Sequence, residues 1–305
     1  MDNLSPNVSV IIPTYNRASL LARSINSILR QTFQDFEIII VDDASTDNTQ
    51  EVVSTIRDPR IRYLKHETNR GGSAARNTGI SAAQGDFIAF QDSDDEWLPE
   101  KLAKQVNILA DALPNVGVVY TGFWRIQGDQ KEYIPGPEIQ VKEGNIHREL
   151  LKGNFVTTQA VLVKKECFQK VGMFDETLPR LQDWELFLRI AKHFEFRYVP
   201  EPLVHSFFTE GSISSNPKAL IRAFEIILQK NLEAYKADRK LYANQLLSLS
   251  GLYRLGNDIK NSRKYLIKAF AANYRPGLIL AITASFFGMS FFNFYWKMMH
   301  KIQGL

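Results

Sequence analysis

"VSVIIPTYNRASLLARSINSILRQTFQDFEIIIVD", residues 8–42, changes its periodicity twice. Val8 to Ile12 is a short apolar run, closed by the polar turn Pro13, Thr14, Tyr15, Asn16 and Arg17. From Ala18 to Arg30 the spacing becomes helical, with Leu20, Leu21, Ser24, Ile25 and Ile28 on one face. A second continuous run, Phe36 to Val41, follows and ends in Asp42 and Asp43. Runs without alternation are covered on both faces, so strand, helix, strand reads as one unit of a parallel sheet. Ile61–Leu64 and Phe87–Phe90 repeat the pattern around a helix-compatible stretch, Ser73–Ala83, giving β-α-β-α-β-α-β to about residue 90. Such a sheet carries its ligands outside the carboxyl ends of the strands.

Further along, strands are expected at Val116–Tyr120 and Gln159–Val163. A loop is expected near Gly136 and Pro137, a helix over Asp183–His193, and extended chain over Phe196–Phe208. "EGSISSNPK", residues 210–218, reads as a linker, and the charge changes sign there. Residues 1–210 hold 23 Lys+Arg and 29 Asp+Glu, net −6; residues 211–305 hold 14 and 4, net +10. We therefore expect an α/β domain over 1–210 and a basic helical extension over 211–305, its residues 246–276 forming a helical hairpin of tetratricopeptide type.

The 305 residues, 45% apolar, suit one large core with an appendage. The single cysteine, Cys167, excludes an intramolecular disulfide and a Cys-rich zinc site. The opening MDNLSPNVSV has neither a basic start nor an apolar run before a cleavage site, so no secretory signal and a cytoplasmic location are expected.

The strand ends carry the chemistry. Phe87–Phe90 runs into Gln91, Asp92, Ser93, Asp94, Asp95 and Glu96. Clustered carboxylates repel, which favours a bound cation. Ser93 with Glu96 also fits a capping box for a helix through Trp97, Pro99 and Leu102. In extended chain Asp92 and Asp94 point the same way and Asp95 the opposite way, so two acids can converge on Mg²⁺ or Mn²⁺ while substrate phosphates complete the shell. Asp42 can accept hydrogen bonds from a base or ribose, or merely support its turn, whereas Ser45 or Asp47 reads as a cap for the next helix. "NRGGSAARN", residues 69–77, offers Gly72 for close approach to a phosphate, with Arg70 and Arg76 to answer its charge; a plain turn explains it equally well.

"VSVIIPTYNR", "IIIVDDASTDNT", "GGSAARNTGI", "FQDSDDEW" and "GMFDETLPRLQDWELFLR" together resemble the family-2 glycosyltransferases of GT-A fold, over roughly residues 7–215. The resemblance implies a Rossmann-like, mixed but mainly parallel sheet flanked by helices. It makes Asp92-Ser93-Asp94 the Asp-x-Asp metal motif, with Asp94 the direct ligand. Pro13, Thr14, Tyr15, Asn16 and Asp42 fall where such enzymes hold the nucleotide, UDP being the commonest. Asp183 falls at the catalytic base, which implies a single displacement with inversion. From the residues alone Asp183 also fits a helix N-cap. Many relatives have Glu where this chain has Gln182, and a His where it has Thr209; His205 reads as structural.

The implied activity is transfer of one sugar to a glycan or lipid-linked acceptor in cell-surface polysaccharide assembly. Loops 123–158 and 176–182 would set sugar and acceptor choice. A nucleotidyltransferase lacks its basic triphosphate loop here, and an inactive transferase-like scaffold is the non-enzymatic alternative. Residues 276–296, "PGLILAITASFFGMSFFNFYW", carry no charge and are flanked by Arg275, Lys297 and Lys301. A peripheral contact with the cytoplasmic face of a membrane ranks first for them, with Tyr295 and Trp296 at the interface. Internal packing or dimer formation ranks second and a membrane span third. No nucleic-acid partner is expected, since the tail's aromatics cluster instead of interleaving with its basic residues.

Overall fold

The computed structural model describes residues 6–208, 216–294 and 296. It divides into two compact units: Met1–Thr177 with Gln182–Ser212, and Leu178–Leu181 with Ile213–Leu305.

The first unit opens as the periodicity predicts: β1 Val8–Thr14, α1 Ala18–Leu29, β2 Phe36–Asp42, α2 Thr49–Thr55, β3 Ile61–Lys65, α3 Gly72–Ala82 and β4 Phe87–Phe90. β5 Glu96–Trp97, α4 Lys101–Ala110, β6 Val116–Gln127 and β7 Gln130–Ile134 come next. α5 His147–Lys152, β8 Val161–Lys164, α6 Lys165–Val171, α7 Gln182–Ile190 and β9 Glu195–Phe207 complete the unit. One sheet runs β3-β2-β1-β4-β8-β6-β9-β5, with β7 pairing beside β6. β1 to β4 are mutually parallel, whereas β8 is antiparallel to both neighbours, β4 and β6. This is the mixed, mainly parallel, helix-flanked sheet expected.

Every residue of β2 is buried, as are all of β1 but Pro13. Val8, Val10 and Ile12 pack in one core with Ile38, Ile40 and the Leu21, Ile25 and Ile28 face of α1. Each fully buried side chain of this kind stabilises the fold by about 1.5–3 kcal/mol. On the other face α3 approaches β1 so closely that a Cβ on Gly79 would stand 2.4 Å from the Ile11 side chain. Serines complete α1: Ser24 Oγ donates to Asp92 O at 3.1 Å, and Ser27 Oγ accepts the Trp97 N–H at 3.1 Å. The helix thus carries both core and site contacts on one face.

Two local readings are corrected. Ser93 and Glu96 form no capping box, because Glu96 and Trp97 pair with His205 and Val204 of β9 and the helix starts only at Lys101. Residues 92–95 are not extended either: the Asp95 N–H donates to Asp92 O at 3.1 Å, closing a turn.

The second unit contains α8 Pro217–Lys230, α9 Leu232–Ala237, α10 Arg239–Leu255, α11 Ile259–Ala272 and α12 Pro276–Ala284. α10 and α11 form the expected hairpin, joined by buried Ser250 and Ser262, each Oγ donating to the other's carbonyl at 2.9 Å. Tyr253 and Tyr265 stack at 5.5 Å, and both hydroxyls donate to Glu225 Oε1. The uncharged stretch 276–296 is not one helix. α12 has nine residues, Ser285–Phe287 is a 3₁₀ turn, and Gly288 takes φ +96°. Among the described residues no helix is long and apolar enough to cross a membrane, which removes the span. Trp296 is half-buried against Phe292 and Arg254, and Tyr295 lies outside the described residues.

Candidate active site

The parallel register puts the ends of β1, β2 and β4 on one rim: Thr14 lies opposite Asp42, and Ile11 opposite Phe90, with the Gln91 N–H donating to Ile11 O. At β1, Pro13 is half-buried and Thr14 is buried with no partner for Oγ1. Tyr15 is exposed. Asn16, at φ +51°, ties the turn to the next strand end: its Oδ1 accepts Thr46 N–H at 2.8 Å, and its N–H donates to Ser45 Oγ at 2.9 Å.

Asp42 sits behind that turn. It is fully buried, with Oδ1 accepting the Ser45 N–H at 2.8 Å and Oδ2 accepting the Tyr63 hydroxyl. These contacts support the turn. Asp47 accepts the Thr49 N–H at 3.1 Å, but the N-cap of α2 is Asn48, so Asp47 sits one residue before the cap position.

Asp43 was not singled out in the sequence, yet it organises the glycine loop. Its carboxylate accepts the N–H groups of Arg70 at 2.9 Å and Gly71 at 2.6 Å, and meets His66 Nδ1 at 2.7 Å. The other His66 nitrogen meets Thr78 Oγ1 on α3 at 2.9 Å. Those two amides are therefore spent on Asp43, and Gly71 adopts φ +89° in presenting its own. The Arg70 guanidinium points to Glu176 at 3.4 Å, not toward the acid turn. Gly72 starts α3, and a Cβ there would stand 3.2 Å from Arg76 Nη1.

The acid turn finds much of its positive complement within the chain. Arg76 Nη2 bonds Asp92 Oδ1 at 2.8 Å, Arg23 Nη2 donates to Asp94 O, and Arg30 reaches Glu96 at 3.2 Å. Ser93 is buried inside the turn. Asp95 is buried too and accepts the Phe207 N–H at 3.0 Å. Its carboxyl is pushed well above the usual range, first by burial and then by the charges of Asp92 and Asp94. That response marks three carboxylates sharing one field.

Asp183 is the second residue of α7, so it is not the N-cap. Its Oδ1 accepts the Trp184 N–H at 2.8 Å and its Oδ2 accepts Asn154 Nδ2 at 3.0 Å. Burial raises its carboxyl above the usual range; Asn154, Trp184 and the charge of Arg76 oppose the rise, and the charge of Asp92 adds to it. Arg76, Asp92 and Asp183 therefore act within one electrostatic neighbourhood. Asn154, another residue the sequence did not disclose, leaves its Oδ1 buried without a partner, as do Gln91 Oε1 and Nε2, Ser73 Oγ and Arg76 Nε. Leu181, just before α7, holds φ +60°, a strained backbone for a leucine and of a kind that gathers at functional sites. Thr209 lies outside the described residues. His205 sits on β9 opposite Glu96, its ring 6.4 Å from Phe207.

The residues present suit a divalent cation only as a shared ligand. Among the described residues no three His, Cys, Asp or Glu side chains gather into a metal cage. The acid turn offers hard carboxylate oxygens from Asp92 and Asp94, whose charges add to the burial that raises the Asp95 carboxyl. A cation there would need phosphate or water oxygens to complete its shell, as Mg²⁺ and Mn²⁺ commonly accept.

The family model described as Glycosyl transferase family 2 matches residues 9–172. The chain belongs to this family. WcaA of Escherichia coli K12, whose name assigns it provisionally as a colanic acid biosynthesis glycosyl transferase, is 31% identical over 265 residues, covering 83% of this chain and 89% of WcaA. The chain spans only about a third of the length of the relatives from Rickettsia felis and Rickettsia conorii that it also matches. Its fold is that of Staphylococcus aureus TarS 1–349, solved with UDP-GlcNAc: TM-score 0.71 at 18% identity, covering 98% of this chain and 92% of TarS 1–349. It is likewise similar to the mannosyltransferase PcManGT of Pyrobaculum calidifontis, solved with GDP-Man and Mn²⁺: TM-score 0.59 at 21% identity, covering 92% and 80%.

Proposed function

We propose that this glycosyltransferase moves one sugar from a nucleoside-diphosphate sugar, a UDP-sugar first among them, to an acceptor hydroxyl with inversion. The observation that carries the reading is the convergence of Asp183, Arg76 and Asp92 on one electrostatic neighbourhood, beside buried polar atoms that have no partner among the described residues. Asp183 accepts the acceptor's proton as the new C–O bond forms at the anomeric carbon and the bond to the diphosphate breaks. Burial suits this: a carboxylate whose pKa is raised is a stronger base. Asn154 holds the carboxylate in one orientation.

Pro13, Thr14, Tyr15 and Asn16 frame the nucleotide, with Asp42 as the buttress of that frame. Gly72, Arg76, Asp92 and Ser93 face the diphosphate. Mg²⁺ or Mn²⁺ held by Asp92 and Asp94 would supply Lewis-acid stabilisation of the leaving diphosphate; the Mn²⁺ in the PcManGT complex supports this assignment. Likeness to WcaA, named for colanic acid biosynthesis, supports a role in polysaccharide assembly; the proposal adds a glycan or lipid-linked acceptor, a catalytic domain over 1–210 and a membrane-peripheral extension beyond.

The test is release of free nucleoside diphosphate from a panel of nucleotide sugars with Mn²⁺ and acceptor, compared with Asp183→Asn and Asp94→Ala, and with the anomeric configuration of the product read by NMR. Diphosphate release that both variants abolish, with an inverted product, supports the reading. Pyrophosphate release, a retained anomer, or an Asn variant as fast as the parent overturns it.

A further inference from the structure

The end of the chain joins two features that soluble surfaces keep apart. From Ile259 to Leu305 there are seven Lys and Arg residues and no Asp or Glu. In the same segment four phenylalanines within nine positions stand in solvent: Phe286 at 64% exposure, Phe287 at 70%, Phe291 at 50% and Phe294 at 63%. Ile279 and Leu280 on α12 are exposed as well. This is not an unpacked tail, because Leu278, Ala281, Ala284 and Phe292 of the same segment are buried. The inner side is satisfied and a separate apolar face is left over.

Local chemistry holds that face in place. Arg263 Nε donates to Ser285 Oγ at 2.8 Å and its guanidinium lies 3.8 Å from the centre of the Phe286 ring. Gly288, at φ +96°, turns the chain so that the rings of Phe287 and Phe291 meet at 5.5 Å. Exposed apolar clusters of this kind mark interaction surfaces. The sign of the charge selects the partner. A second copy of the chain would bring a tail of the same positive sign, so like charges would oppose pairing through this face. An anionic lipid surface answers both features, since basic residues are drawn to its headgroups while aromatic rings enter the acyl boundary. A helix of nine residues followed by a break can enter that boundary without crossing it.

We infer that Phe286, Phe287, Phe291 and Phe294 form an insertion face with which this chain docks on an anionic bilayer. The sequence ranked a peripheral contact first but assigned its aromatic anchors to Tyr295 and Trp296; Tyr295 lies outside the described residues, Trp296 is half-buried, and the exposed rings described are phenylalanines. The inference needs no assignment of donor, base or metal, so it stands or falls separately from the activity.

The experiment is flotation of the intact protein with vesicles of phosphatidylcholine alone and of phosphatidylcholine mixed with phosphatidylglycerol. The parent is expected to float with the anionic vesicles and to be released as salt rises. F286S/F287S is expected to lose on the order of tenfold or more in partitioning, since about 1.4 kcal/mol of lost ring burial is tenfold. Its melting temperature should match the parent's, because neither ring is buried. K268E is expected to weaken binding to anionic vesicles only. Failure of the parent to float, or serine variants that bind as the parent does, overturns the inference. So does a parent that is dimeric in solution and becomes monomeric through F286S/F287S without binding vesicles, which would assign the face to a second copy.

Discussion

Removing the Asn154 side chain is expected to shift the pH dependence of the reaction rather than simply lower its rate. Asn154 Nδ2 donates to Asp183 Oδ2 at 3.0 Å, and a hydrogen bond to a charged acceptor contributes about 1.5–3 kcal/mol. At about 1.36 kcal/mol per pKa unit, losing it would raise the carboxyl by roughly one to two units. The lower end applies, because the Trp184 N–H still reaches Oδ1 and Asp183 is only partly shielded from water. Asp183 must be ionised to take the proton, and burial already holds its pKa above the usual range. Asn154→Ala should therefore move the acid limb of kcat/KM to higher pH by about one unit, with rates converging on the parent's within a few-fold at alkaline pH. The assay is initial-rate release of nucleoside diphosphate across the pH range, with thermal melts at each pH to exclude unfolding. An acid limb at the parent's position above a lowered plateau would refute the link between Asn154 and the base.

Asp183→Asn should abolish transfer yet raise the melting temperature at neutral pH. The folded carboxyl titrates above its ordinary value of 3.8, so its contribution to stability is full below that value and lost as pH rises through the folded pKa; the variant's advantage in thermal melts should shrink toward pH 4. Lys101→Met should stabilise the fold by about 1 kcal/mol or more, because Lys101 is fully buried and among the described residues meets Gln105 Oε1 at 2.8 Å, Val161 O at 3.5 Å and the Trp97 ring at 3.8 Å but no carboxylate. Burial depresses that ammonium well below 10.5, so the parent's deficit against Met should narrow as pH rises toward 10 in denaturant titrations. Asp43→Asn forfeits the charge that accepts the Arg70 and Gly71 amides, at a cost of about 2 kcal/mol or roughly 4–8 °C in melting temperature; an unchanged Tm would show that the glycine loop needs no such tie.

The strands and helices up to residue 90 were legible because hydrophobic period is a local property. Continuous runs at 8–12, 36–41 and 87–90 can be covered only as inner strands, and the Leu21, Ile25 and Ile28 stripe can lie only on a sheet. Residue chemistry likewise exposed the acid cluster, whereas Asp183 was reached only through the family resemblance. The sequence failed where a side chain's partner is distant in the chain. Asp42 and Asp43 are neighbours of identical type; only the fold puts one against Tyr63 and its own turn, and the other against a loop 27 and 28 residues away. The acid stretch looked extended by continuity with β4, but β5 must return to pair with β9, and that closes a turn with Asp95 inside.

The sequence by itself determined the alternation of strands and helices to about residue 90, that the polar strand ends share a rim, and that the tail is basic. Only the tertiary structure decided which carboxylates are partnered, that Asn154 reaches Asp183, and that the uncharged tail breaks into short pieces with a phenylalanine face. The reason is physical: periodicity is written along the chain, whereas a hydrogen-bond partner is assigned by strand order and packing between segments far apart in it.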